Sequence, residues 1–210
     1  MSQGEPLHRS CRPHSRTLVG LLLLVTLGGI GYLWINARYP NWEEEVQLPD
    51  GRKFVVKQRR DYADGYGTRK TWLTFSIPEL RGEQTWTESM QPVLIAVTNN
   101  GQVYVAGWPS GDKQMDMYRH PRYGYAAFRW NGKEFERVPF LSIPENLRKA
   151  ENVIRCIPNA SFVTWATKVL SSCDETSSYI SGGSREIDLE RMQTWAQIQA
   201  KRQNIEPLSD

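Results

Sequence analysis

The sequence predicts an α+β protein: a single N-terminal transmembrane helix joined to a soluble, mainly antiparallel β domain that closes with a C-terminal helix. Three observations predict it. Leu18–Ala37 carries no charged residue. After it, apolar and polar residues alternate around Pro49-Asp50-Gly51, Asn100-Gly101 and Asn131-Gly132, the pattern of β-hairpins. Near the end, Leu189, Met192, Trp195 and Ala196 recur at helical spacing.

A helix rises about 1.5 Å per residue, so roughly 20 apolar residues cross a hydrocarbon core of about 30 Å. Arg9, Arg12 and Arg16 precede the run with Glu5 as the only acid, and Arg38 followed by Glu43-Glu44-Glu45 comes after it. Basic residues favour the cytoplasmic side. The expected topology is a single pass of a bacterial inner membrane, with the N-terminus in the cytoplasm and the C-terminal domain in the periplasm. Arg16, Tyr32, Trp34 and Arg38 fall where the span meets the headgroups. The segments are then 1–16 cytoplasmic, 17–37 transmembrane, 38–42 linker, 43–204 domain and 205–210 flexible tail. The alternative is a cleaved signal peptide, whose apolar core is usually about 7–15 residues and ends in small residues. This run is longer, and Ile35-Asn36-Ala37 is a poor cleavage site.

Composition excludes some partners. The net charge is +3 and acids alternate with bases after residue 40, so no basic block points to nucleic acid. Seven of the eight tryptophans follow the span and serve a core or a stacking platform; Trp86 and Trp108 are the candidates for the latter. Cys156 and Cys173 lie in the outward domain, where disulfides persist. A bridge between them closes a loop of about 17 residues, worth about 3 kcal/mol in the chain-entropy model. Two separately buried thiols are the alternative.

The first hairpin runs Glu43–Lys57, with Val46 opposite Phe54 and Glu43 opposite Lys57. Apolar and opposite-charge partners select that register. A strand follows at Thr71–Ile77. The second hairpin, Val93–Gly107, is apolar on both faces and turns on Asn100-Gly101 as type I′. The third, Ala126–Val138, pairs Phe128 with Phe135 and Arg129 with Glu134 across a two-residue turn. Pro144–Lys149 forms a short helical turn with proline in its first turn. Phe162–Leu170 suits strand or helix. Ser171–Ser184 reads as a loop, and Glu186–Gln203 as a helix capped by Ser184.

Chemistry is sparse. His120 is the only histidine outside the N-terminal segment. A Ser-His-Asp arrangement would need it with Asp112 or Asp116, yet no Gly-x-Ser-x-Gly elbow occurs, and it reads as an exposed loop residue. No ligand cluster suggests a metal, and no motif suggests a cofactor. Glu43-Glu44-Glu45 reads as solvated charge near the membrane. Asp61–Gly67 lacks the third acid and terminal glutamate of a calcium loop. One loop, Asp112–Tyr125, is dense in tyrosine and arginine, residues enriched at binding hot spots. Met115, Met117, Tyr118, Arg119, His120, Arg122, Tyr123 and Tyr125 are the candidate interaction surface.

Glu44–Arg52 and Ala127–Gly132, continued by Val138-Pro139 and Ile143-Pro144, resemble segments of an uncharacterised group of proteobacterial membrane-anchored proteins. The likeness spans about half of the chain. It implies a bacterial source and brings no activity or site residue with it. The expected function is a membrane-anchored protein whose periplasmic β domain binds another envelope protein without catalysis. The alternatives are a carbohydrate-binding module and a hydrolase.

Overall fold

The computed structural model describes residues 14–63, 67–109, 111–155, 158, 160–168, 185–190, 193, 197–198 and 201. The chain divides into two compact units, Met1–Arg38 and Tyr39–Asp210.

The first unit contains helix α1, His14–Arg38, of 25 residues. The Thr26 hydroxyl donates back to the carbonyls of Leu22 (2.9 Å) and Leu23 (3.0 Å), so the helix satisfies that group internally. Leu21, Leu24, Leu27, Ile30 and Tyr32 are all exposed. Side chains are described without a break from 19 to 33, about 22 Å of helix. Over those residues alone, no helix is long and apolar enough to cross a membrane.

The second unit is α+β and mostly antiparallel. Strands β1 (Asn41–Gln47), β2 (Lys53–Ala63), β3 (Gly67–Ile77) and β4 (Gly82–Glu88) follow one another. With β10 (Phe162–Val163) they form a five-stranded sheet of order β10-β1-β2-β3-β4. Strands β5 (Gln91–Val97), β6 (Val103–Trp108), β7 (Ala126–Trp130) and β8 (Phe135–Val138) form a four-stranded sheet in chain order. Helix α2, Asp112–Met117, lies between β6 and β7. The short β9 (Ala150–Glu151) pairs with β11 (Arg185–Glu186), and β10 (Phe162–Val163) runs parallel to β1.

Period-2 alternation decides the packing. Val46, Val56, Leu73, Phe75 and Trp86 of the larger sheet bury against Ile95, Val97, Val105 and Phe128 of the smaller. Trp86 meets Phe128 edge-on, with ring centroids 5.6 Å apart. The smaller sheet is covered on its other face too, where Leu94, Ala96, Tyr104 and Ala127 pack on Phe140, Ile143 and Leu147. This two-sided burial is what the apolar second hairpin predicts. Phe140–Ser142 and Glu145–Leu147 are 3₁₀ turns, each preceded by a proline. Pro144 therefore stands just before the predicted helical turn instead of inside it.

The first hairpin has the predicted register, Val46 opposite Phe54 and Glu43 opposite Lys57. The other two differ at their turns. Val97 pairs with Val103, so five residues turn instead of two, and of Asn100 and Gly101 only Gly101 (φ 80) takes a positive φ. A type I′ turn needs both. In the third hairpin Trp130 pairs with Phe135 and Arg129 with Glu136, not Phe128 with Phe135 and Arg129 with Glu134. The Asn131 side chain accepts from the amides of Lys133 (2.9 Å) and Glu134 (3.0 Å), which holds a four-residue loop. The slip is two residues, so every side chain keeps its face.

Strand β4 was not legible in the sequence, because only Trp86 of Gly82–Glu88 is buried. At the C-terminal end, Glu186 belongs to β11 and not to a helix. Leu189, Glu190, Gln193, Gln197, Ile198 and Lys201 are helical, while the predicted cap Ser184 lies outside the described residues.

Candidate interaction face at the tether end

Strand directions sort the connections of the second unit to two ends. Strand β1 starts at Asn41 opposite Arg59 of β2, so the chain arrives at the end toward which β2 runs. That tether end holds the β2–β3 hairpin tip, the β4–β5 link and the β6–β7 connection with α2. The opposite, turn end holds the connections at 48–52, 78–81, 98–102 and 131–134.

A row of rings and cations crosses the outer face of the larger sheet at the tether end. Arg59 lies over the rings of Tyr39 (5.1 Å) and Trp72 (5.4 Å), and Lys70 lies over Trp72 (5.1 Å). The register puts them there, since Arg59 pairs with Trp72 and Asp61 with Lys70. Arg69 is the unpaired residue of a bulge between Lys70 and Thr68. Arg59, Arg69 and Lys70 are exposed and Trp72 is half-buried. A shallow groove of about 680 Å³ continues the row between Trp72, Lys57, Thr74 and Phe162. Residue-by-residue reading missed this row because its members meet only across strands.

The predicted interaction loop occupies the same end. Gln114 of α2 donates to the carbonyl of Thr68 in the hairpin (2.8 Å). Five of the eight candidate side chains, however, are buried: Met115, Tyr118, His120, Tyr123 and Tyr125. They pack the loop onto the sheets. Tyr118 donates to Glu88 (2.7 Å) and Tyr125 to Glu151 (2.9 Å). Burial raises the pKa of Glu88, against the lowering effect of the Tyr118 hydroxyl. Burial and the same carboxylate raise that of Tyr118. Met117, Arg119 and Arg122 remain exposed. Arg119 and His120 both take left-handed backbone, φ 54 and 49, which sends one outward and the next inward.

The expectation of an exposed His120 is corrected. It is 5% exposed, and its Nε2 lies 2.8 Å from Asp116 Oδ1, one helical turn away. Its Nδ1 has no hydrogen-bond partner among the described residues, so no described hydroxyl completes a triad with it. No group of three potential metal ligands occurs among the described residues.

Glu44 is also corrected, from solvated charge to a fully buried group. Alternation turns Trp42, Glu44 and Val46 inward. Glu44 forms an ion pair with the equally buried Lys168. It also accepts from Gln58 (2.5 Å) and from the amide of Ile154 (3.0 Å). Lys168 donates to the carbonyls of Glu45 (2.8 Å) and Asn152 (2.5 Å). Burial lowers its pKa, while Glu44 opposes that shift. Arg60 reaches the carbonyls of Ile154 (2.8 Å) and Arg155 and stacks on Trp42. The Asn152 amide completes the edge of β5, accepting from Ile95 N–H and donating to Ile95 O (both 2.9 Å), and it reaches Gln47 O of β1 (3.2 Å). This network straps Asn152, Ile154, Arg155 and Lys168 to both sheets.

Trp86 is 1% exposed and Trp108 is half-buried under Arg155 (5.1 Å), so neither offers an open ring. Cys156 and Cys173, and the side chains of Arg16 and Trp34, lie outside the described residues. Comparison with known protein families, with curated proteins and with solved structures finds no match.

Proposed function

We propose that this chain is a single-pass membrane protein whose β domain lies outside the cytoplasm and acts as a non-catalytic interaction module. In a Gram-negative bacterium that compartment is the periplasm. The observation that carries this reading is the helix: its described leucines are exposed all round, and it contains a run, Leu18–Ala37, without charge. Such a surface is stable where lipid covers it. The flanking arginines give the orientation. The interaction reading takes the tether end as its surface, now with Met117, Arg119 and Arg122 joined by Arg59, Arg69 and Lys70.

A reporter fused after Asp210 that works only when exported tests the topology. Activity is expected from the exported reporter, with the intact chain staying in the membrane pellet after an alkaline wash. Activity only from a cytoplasmic reporter reverses the orientation; recovery of the uncleaved chain in the soluble fraction removes the anchor. The same cells test the Cys156–Cys173 bridge. A mobility shift on reduction that is lost in Cys156→Ser supports it, and its absence leaves two separate thiols.

A further inference from the structure

We infer that the tether end of the β domain rests on the anionic headgroups of the bilayer that its own helix crosses. This inference rests on the anchor reading and names the partner of that same surface. The first argument is reach. Helix α1 ends at Arg38 and the Pro40 carbonyl already accepts from Arg60 N–H of β2 (3.0 Å). Two Cα steps of 3.8 Å, about 8 Å in all, therefore separate the helix from the sheet. Strand β2 continues three residues beyond Arg60, to Ala63, about 10 Å at strand rise. The tether end is therefore the end at which the chain enters this unit from α1.

Chemistry gives the second argument. Arg59, Arg69, Lys70, Lys113, Arg119 and Arg122 are exposed at this end. None forms an ion pair among the described residues. Among the described residues the exposed acids there are Asp112 and Asp116, and the latter faces His120. Asp61 is half-buried, and Glu88 is taken by Tyr118. The excess is positive. Anionic lipid attracts juxtamembrane cations within a Debye length of about 8–10 Å. Trp72 and Tyr39 stack with the same cations, and such amphipathic rings favour the membrane–water boundary. Met117, 54% exposed, adds an apolar contact beside them. At the turn end Arg52 is held by Asp50 and Glu79, and the exposed cations there do not lie over rings among the described residues.

Photocrosslinking in intact cells tests this. A diazirine amino acid is placed in the full-length chain at Lys70, at Met117, at Lys133 of the turn end and at Leu24 of the helix. Adducts are then identified by mass. Phospholipid adducts are expected at 24, 70 and 117, and only background at 133. Adding Arg69→Glu and Lys113→Glu lowers the adduct yield at 70 and 117. The drop is about fivefold for each positive charge removed from contact, the equivalent of about 1 kcal/mol per cation. Protein adducts in place of lipid at 70 and 117 overturn the proposal and assign this end to another membrane protein. Yields no higher than at 133, with lipid captured at 24, overturn the headgroup contact while the anchor stands. No lipid at 24 removes the anchor and the proposal with it.

Discussion

The two ends of the β domain are built from the same alternation but closed differently. At the turn end the connections are short, and Gly51, Gly82, Gly101 and Gly132, with Arg81, supply positive φ. Several charges there meet opposite charges: Arg52 holds Asp50 and Glu79, and Arg129 holds Glu136 on the strands leading into the last turn. At the tether end one connection is long, β6–β7, which carries α2; cations stack on rings there, and left-handed backbone falls on Arg119, His120 and Gly124. The difference teaches that the same strands close by short turns at one end, while at the other they bring cations over rings on the outer face of the sheet.

Between them lies the strap, and breaking it gives the largest expected effect. Lys168→Met leaves the Glu44 carboxylate buried without its partner. Removing one member of a buried pair costs about 3–5 kcal/mol, read as a lowered urea midpoint in detergent. Glu44→Gln with Lys168→Met is expected to recover much of that loss. A double variant as unstable as the single one means that the pair does not hold the strap.

Asn152→Ala comes next. It strips partners from Ile95 N–H, Ile95 O and Gln47 O, at about 1–3 kcal/mol for each buried group left unpaired. Faster amide exchange confined to β5 and β1 checks the local origin.

Glu88 gives a smaller, pH-dependent effect. Its folded pKa is raised by burial, so the folded state keeps a proton that the unfolded state has lost. Stability from this group therefore falls as pH rises from the ordinary glutamate range of about 4.3 through the raised value. Glu88→Gln is expected to flatten that fall in urea melts across mildly acidic pH. An unchanged slope excludes Glu88 as its source.

Arg52→Ala is expected to change least. Its ion pairs are exposed, and such pairs contribute about 0–1 kcal/mol. If it matches Asn152→Ala, the turn end bears more of the fold than this comparison allows.

Where the deciding partner sits opposite in sequence-local hairpins, the fold was legible. Glu43–Lys57 and Val46–Phe54 set the first register, and two-sided apolarity marked β5 and β6 as covered. Turn length was not legible. Asn-Gly suggested two-residue turns, but the Asn131 side chain captured two amides and opened the last loop. Glu44 was misread because its counter-ion, Lys168, comes from a distant segment that no local pattern connects to it. Five of the eight side chains expected on the surface of the interaction loop are buried. Its tyrosines, read as hot spots, hold the loop to the core, while Arg59, Lys70 and Trp72 assemble only when β2 pairs with β3.

The central claim, that the tether end meets lipid, is tested most directly by hydrogen exchange on the full-length chain in bilayer discs. Discs containing anionic lipid are compared with discs of neutral lipid alone. The account predicts slower exchange in anionic discs at 59–62 and 113–122, with 98–102 and 131–134 unchanged. Equal exchange at both ends in both bilayers contradicts it.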